Sequence, residues 1–336
     1  MLKTGKLDSD LLKKLVFDKI TYRSDDVKVR PGIGEDCAVM DFGDYDCVMS
    51  TDPITAAVSD IGRLAIHITC NDIASNGVQP LGIMLAVMLP EGTDENDVGH
   101  IMGQAAETAG NLGVEVIGGH TEITPAVNQP VIVSTAIGKT CSGTSQSGND
   151  MMPGDYIMVS KSIGLEGSGI IACDYEERLR GILTEEEIIR AKSFLDLVSV
   201  VPEGVEAGKI GTHGMHDVTE GGIMGAVWEM CQISGTGALI SEGKIPVEPE
   251  TKKICKYFDI DPARLISSGS MVIVTAEDRK DDMLAAMDKA GIKCTVIGRV
   301  AERDFGIMKE SGGNLTEIEP PYADEIYKVV GKQTSL

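Results

Sequence analysis

A carboxylate planted on the apolar face of a helix constrains this chain more than any other feature. In the stretch from Ser50 to Pro80, STDPITAAVSDIGRLAIHITCNDIASNGVQP, a strand-like run ends at Asp52-Pro53. Residues 59–76 then carry Ala65, Ile68, Thr69 and Asp72 at helical spacings of three and four, with Asn71 beside Asp72 and Asn76-Gly77 as a stop. An unpaired buried charge is expensive, so Asp72 needs a partner that a purely structural helix does not supply. Where strand end and helix converge, Asp52 and Asp72 can share one hard cation. Magnesium is commonly held by one or two carboxylates together with phosphate oxygens. For each aspartate taken alone, the alternative is a helix cap or a solvated surface charge.

Around this stretch, strands and helices alternate in the manner of a layered α/β protein. The 336 residues suit two domains, expected at 1–148 and 149–336, with the small, polar, glycine-rich run 141–154 between them. In the first, residues 7–20 read as an amphipathic helix capped by Asp8 or Ser9, with Leu11, Leu12, Leu15 and Val16 on one face. Gly32-Ile33-Gly34-Glu35-Asp36 forms a glycine loop running into a strand at Cys37–Val39, and a further strand covers 46–51. The nearly continuous apolar run Leu81–Leu89 is a buried strand, 94–111 a helix and 114–117 a short strand. A second glycine turn, Gly118-Gly119-His120-Thr121-Glu122, comes next, and then a strand at 131–137.

The second domain opens with a strand at 156–161. Residues 163–169 lead into a helix, offering either backbone amides to an anion or a plain tight turn. Thr184 caps a helix to about Val198. A strand at 213–219 turns through Glu220-Gly221-Gly222 into a helix at 223–233. Alternation continues through 237–241, 248–258, 270–276, 278–289, 293–300 and 321–331.

Charge and composition exclude several functions. Against 30 basic residues stand 52 acidic ones, a net charge of −22 that repels nucleic acid and disfavours an anionic membrane surface. The N-terminus lacks a secretory core, and no apolar run of about 18 residues occurs, so the expected location is cytoplasmic. Eight dispersed cysteines without a Cys-x-x-Cys pair signal neither zinc ribbon nor disulfide framework. The glycines at 32 and 34 fail the dinucleotide fingerprint at Cys37, and Gly138-Lys139-Thr140 fails the P-loop because Val133 stands where the first glycine belongs. His213-x-x-His216-Asp217 offers a metal pair without a third cluster; in the alternative, Asp217 acts at the helix start on a cation or its phosphates.

Four landmarks in fixed order, GIGEDCAV at 32–39, TDP at 51–53 with CNDIASNGVQP at 70–80, GGHTE at 118–122 and HDVTEGG at 216–222, resemble the aminoimidazole ribonucleotide (AIR) synthase superfamily. Within it, the second-domain course DVTEGGIMGAVWEM, SGTGALISEGKIPV, DPARLISSGSMVIV looks like hydrogenase maturation factors of the HypE type. The resemblance implies a two-domain α/β (α+β) PurM-like fold, whose N-terminal mixed sheet with helices dimerises into a closed β-barrel beside a C-terminal layered α/β domain. It implies ATP in a cleft with one or more magnesium ions, and phosphoryl transfer to an oxygen of an amide-like or acid substrate, either a small molecule or a partner protein. Carried over by position, Asp36, Asp52, Asp72 and Asp217 are the metal and phosphate ligands. Gly32, Gly34, Asp36, Asn71, Gly118, Gly119, Thr121, Gly221 and Gly222 line the nucleotide, and Asp72, Asp217 and His120 are the catalytic candidates.

Two departures stand out. His120 occupies a position where the family usually carries an acid, and imidazole is a softer ligand than magnesium prefers. Maturation factors of this type also end in a cysteine that is carbamoylated and dehydrated, whereas this sequence ends GKQTSL with Cys294 its last cysteine. The self-tail reaction is therefore not expected in its usual form. The alternative function is a non-catalytic nucleotide-binding assembly or maturation factor.

Overall fold

The computed structural model describes residues 7, 9–55, 59–146 and 150–330. Among them, two mixed sheets form. The first contains β1 (Val27–Val29), β2 (Ala38–Asp41), β3 (Tyr45–Ile54), β4 (Pro80–Leu89), β5 (Glu115–Ile123) and β6 (Val131–Cys141) in the order β1-β2-β3-β6-β4-β5, with α1 (Ser9–Leu15), α2 (Ile61–Ser75) and α3 (Glu95–Leu112). Its pairings are antiparallel except for β4 with β5.

The second sheet runs β13-β12-β9-β11-β7-β10-β8. Its strands are β7 (Tyr156–Ser160), β8 (Gly214–Asp217), β9 (Gly237–Ser241), β10 (Met271–Thr275), β11 (Cys294–Ala301), β12 (Ile307–Ser311) and β13 (Asn314–Glu317). The helices are α4 (Leu165–Asp174), α5 (Glu176–Leu179), α6 (Glu185–Lys192), α7 (Val201–Ile210), α8 (Gly222–Ser234), α9 (Pro249–Phe258), α10 (Lys280–Lys289) and α11 (Tyr327–Val330). Strand β7 shows why helices cover both faces: Met158 points into one buried cluster while Ile157 and Val159 point into the other, the two-residue period of a sheet. The cluster containing Met158 also holds Val48, Ile73 and Ile83 from the first sheet's side, so one apolar core joins the two halves.

Several expectations change. Asp52 lies inside β3, opposite Ser134, rather than at a strand end. The stretch Gly118–Glu122 is extended strand, not a turn, and β6 carries Gly138-Lys139-Thr140 as strand, with Lys139 Nζ 3.6 Å over the Tyr45 ring. The N-terminal helix is shorter than predicted and leaves Leu11 and Leu15 exposed; Asp8 lies outside the described residues. The C-terminal helix is cut to α11, while Thr184 does cap α6, in a reciprocal capping box with Glu187. Strands β1, β12 and β13 have no counterpart among the predicted elements. Among the described residues no helix is long and apolar enough to cross a membrane.

Helix α2 packs on both β3 and β8 and so bridges the two sheets. Asn71, fully buried, fixes that docking: its amide donates to Val198 O and accepts from Val200 N, each at 2.8 Å.

Candidate acidic site between the two sheets

Three elements of the first half and one of the second bring carboxylates together. Strand β3 contributes Asp52, helix α2 contributes Asp72, the loop before β2 contributes Asp36, and the end of β8 contributes Asp217. Asp72 is 5% exposed and Asp217 wholly buried. Ser50, two residues before Asp52 and therefore on the same strand face, donates its hydroxyl to Asp72 Oδ2 at 2.5 Å.

Burial and neighbouring charge set the electrostatics here. Burial, and then the negative charges of Asp52, Asp217 and Asp36, push the Asp72 carboxyl well above its ordinary range. The Cys37 thiol, which donates to Asp72 O at 3.1 Å, is raised in the same way by burial and then by Asp72, Asp36, Asp217 and Asp52. It therefore stays protonated, a structural thiol beside the site rather than a thiolate ligand.

His216 supplies local positive charge. Its Nδ1 donates to Asp217 O at 2.6 Å and faces Asp36 Oδ2 at 3.5 Å, while Nε2 faces Glu229 Oε2 at 3.4 Å. Burial opposes a charged ring, but Asp36, Glu229 and Asp217 outweigh it and raise the pKa to about 10. Polar atoms of Asp36, His216 and Asp217 lie within 4.8 Å of one another. With Nδ1 turned to Asp217 O and Asp36 and Nε2 to Glu229, His216 sits in this set as a counter-charge. His213 is turned away, with Nδ1 2.7 Å from Asp155 Oδ2. Three positions apart on an extended chain, the two histidines face opposite sides, so they form no joint metal site.

The donor set fits magnesium: four carboxylates offer hard oxygens, and a divalent cation would relieve the repulsion that Asp72 registers. The other predicted residues fall into two groups. Gly32 and Gly34 flank the site in the Asp36 loop, and Gly222 opens α8, while the Gly221 N–H is committed to Asp324 Oδ2 at 2.8 Å. Gly118, Gly119, His120 and Thr121 lie on β5, an exposed edge three strands from β3, or about 14 Å at ordinary strand spacing. A single copy of the chain does not bring them to the acidic set. Gly119 has a local reason to be glycine, since a Cβ there would sit 1.9 Å from Leu85 O. His120 itself faces Glu122, at 3.4 Å.

Sequence reasoning missed Ser50 and Glu229. The first was legible as the residue two before Asp52; the second has no local signal, because its partner lies on another element.

Comparison with known proteins agrees with this architecture. The model for the N-terminal domain of AIR synthase related proteins matches residues 34–140, and that for the C-terminal domain matches residues 152–309. The chain belongs to the AIR synthase related family. The family match spans the loop of Asp36, the acidic pair on β3 and α2, and the β8–α8 turn. Among its relatives, a hydrogenase expression/formation protein of Methanocaldococcus jannaschii is 27% identical over 340 residues, 97% of each chain. The carbamoyl dehydratase HypE of Rhizobium leguminosarum bv. viciae is 30% identical over 266 residues, 76% of this chain and 74% of that one. A hydrogenase maturation protein HypE solved in complex with ATP shares the fold, with a TM-score of 0.71 and 22% identity over 96% of this chain and 97% of the other.

Proposed function

We propose that this chain is an enzyme that uses ATP to phosphorylate an oxygen of an amide-like or acid substrate, of the carbamoyl class that its dehydratase relatives suggest. The observation that carries this reading is that Asp36 and Asp217, from the two halves, bring ligand atoms within 4.8 Å of one another, while Asp36, Asp52 and Asp217 all stand close enough to the buried Asp72 to raise its carboxyl. Phosphoryl transfer asks little covalent chemistry of a protein and much positioning and charge neutralisation. The γ-phosphorus exchanges its bond to the bridging oxygen of ATP for one to the substrate oxygen. ADP departs, and the substrate oxygen becomes a leaving group.

Asp36, Asp52, Asp72 and Asp217 would hold magnesium, which when bound neutralises phosphate charge. The chain's own residues set the stage. Ser50 orients Asp72, Asn71 ties α2 to residues 198–200 so that Asp72 keeps its position relative to the second half, and His216 offsets Asp36 and Asp217. The apolar core beneath α2 keeps water from the floor of the site.

The same reading includes a homodimer. The open edge at β5, with Leu81, Met84, Ile117 and Ile123 exposed on β4 and β5, suits pairing with a second copy. Gly118, Gly119, His120 and Thr121 then serve a nucleotide by way of that second copy. The non-catalytic alternative drew its support from His120 in place of an acid. Because His120 lies apart from the four carboxylates, that replacement leaves the acidic set whole.

ADP release with magnesium and carbamoyl, amide or carboxylate substrates tests the proposal, with Asp72→Asn expected to lower turnover at least about hundredfold. A chain that neither binds nor hydrolyses ATP, and is indifferent to Asp72→Asn, contradicts it.

A further inference from the structure

We propose that Glu229 is a positioning residue that, through the His216 ring, holds the Asp36 carboxylate in register with Asp217. This rests on the reading of the acidic set as a cation site. Three of its four carboxylates are placed by regular structure: Asp52 by β3, Asp72 by α2 and Asp217 by β8. Asp36 lies in the loop before β2, where no strand register or helical turn fixes its side chain.

The loop rests on α8. Gly34 has φ +76°, and a Cβ there would meet Ile233 Cδ1 at 2.6 Å and Glu229 Cβ at 3.2 Å, so the backbone lies directly on the helix face that these two residues share one turn apart. From that face the Glu229 carboxylate reaches His216 Nε2 at 3.4 Å. The other ring nitrogen donates to Asp217 O at 2.6 Å and stands 3.5 Å from Asp36 Oδ2. A carboxylate–imidazole–carboxylate chain therefore runs from α8 through β8 to the glycine loop of the first half. A half-turn of the ring about its Cβ–Cγ bond would exchange each nitrogen with a carbon, so Glu229 on one side and Asp217 and Asp36 on the other fix one orientation. Partners that orient a ligand from behind in this way typically alter metal affinity or activity by about ten- to a hundredfold when removed.

The test is Mn2+ binding to the full chain, by electron paramagnetic resonance or calorimetry without nucleotide, for Glu229→Gln, Asp36→Asn and the double variant. Glu229→Gln is expected to weaken Mn2+ about tenfold, and the double variant to bind no more weakly than Asp36→Asn alone. Glu229→Asp, which keeps the charge and shortens the reach, should fall between wild type and Glu229→Gln, and carries the test if the glutamine variant folds poorly. If Asp36→Asn loses affinity and Glu229→Gln and Glu229→Asp do not, the positioning role is wrong while the cation site stands. A Glu229 effect that adds in full to that of Asp36→Asn also overturns it. If Asp36→Asn binds Mn2+ as wild type does, the underlying cation site fails, and the positioning role with it.

Discussion

Two groups of carboxylates in this protein each contain buried members and differ in what surrounds them. Asp36, Asp52, Asp72 and Asp217 face one another across the two halves. Glu166, Glu220 and Asp324, around the β8–α8 turn, face donors. Asp324 accepts the N–H groups of Gly221 at 2.8 Å, Ile326 at 2.9 Å and Ile266 at 3.1 Å. Glu166 accepts from Ser268 N at 3.2 Å, and Glu220 from the Tyr327 hydroxyl at 2.8 Å. Both groups nevertheless contain carboxyls pushed upward, chiefly by burial: Asp72 strongly, Glu166 to about 7 and Asp324 to about 6. A raised pKa thus marks either a binding site or a structural tie: Asp324 is met by three backbone N–H groups, whereas Asp72 is met by the Ser50 hydroxyl and by the charges of Asp52, Asp217 and Asp36. The second group lashes the C-terminal segment to the turn behind Asp217; the first, on the function proposed above, would hold a cation.

That contrast can be broken by substitution. Asp324→Ala would strand buried N–H groups of Gly221 and Ile266, and a loss of about 4 kcal/mol is expected in denaturant unfolding. A loss below about 1 kcal/mol would show that the tie is dispensable.

Glu166 gives a smaller, pH-dependent effect. Its carboxyl rises from an ordinary 4.5 to about 7 in the folded chain, so the native state keeps a proton that the unfolded state has released. Stability therefore falls as pH climbs from about 4.5 to about 7. Glu166→Gln should flatten this slope, by up to about 3 kcal/mol across the window, in unfolding curves measured at several pH values. An unchanged slope would move the titration elsewhere.

Much of the acidic site was legible in the sequence because local periodicity carries it. Asp72 on the face of Ile68 and Thr69 announced a carboxylate directed inward, and Asp52 two residues after Ser50 fell on the facing strand. What remained hidden was tertiary. The glycine pair before His120 reads as a turn from composition, yet Gly119 is there because a β4 carbonyl leaves no room for a side chain. Strands β12 and β13 carry little burial alternation, β13 being exposed throughout, so no period-two pattern revealed them. The two histidines were open to reading as a metal pair, although a strand at 213–219 already sends residues three apart to opposite faces, as the structure does. Glu229, twelve residues beyond Asp217, gains its meaning only when α8 folds back over the Asp36 loop.

The most direct measurement is the thermal stability of wild type and Asp52→Asn, each with and without Mg2+. Asp52 is the foremost of the charges raising Asp72, so removing it relieves repulsion in the cation-free protein. A cation site predicts that Asp52→Asn is the more stable of the two without Mg2+, by about 1 kcal/mol, and responds less to added Mg2+. If Asp52→Asn is instead less stable in cation-free buffer and gains as much from Mg2+ as the wild type, the four carboxylates are not a cation site.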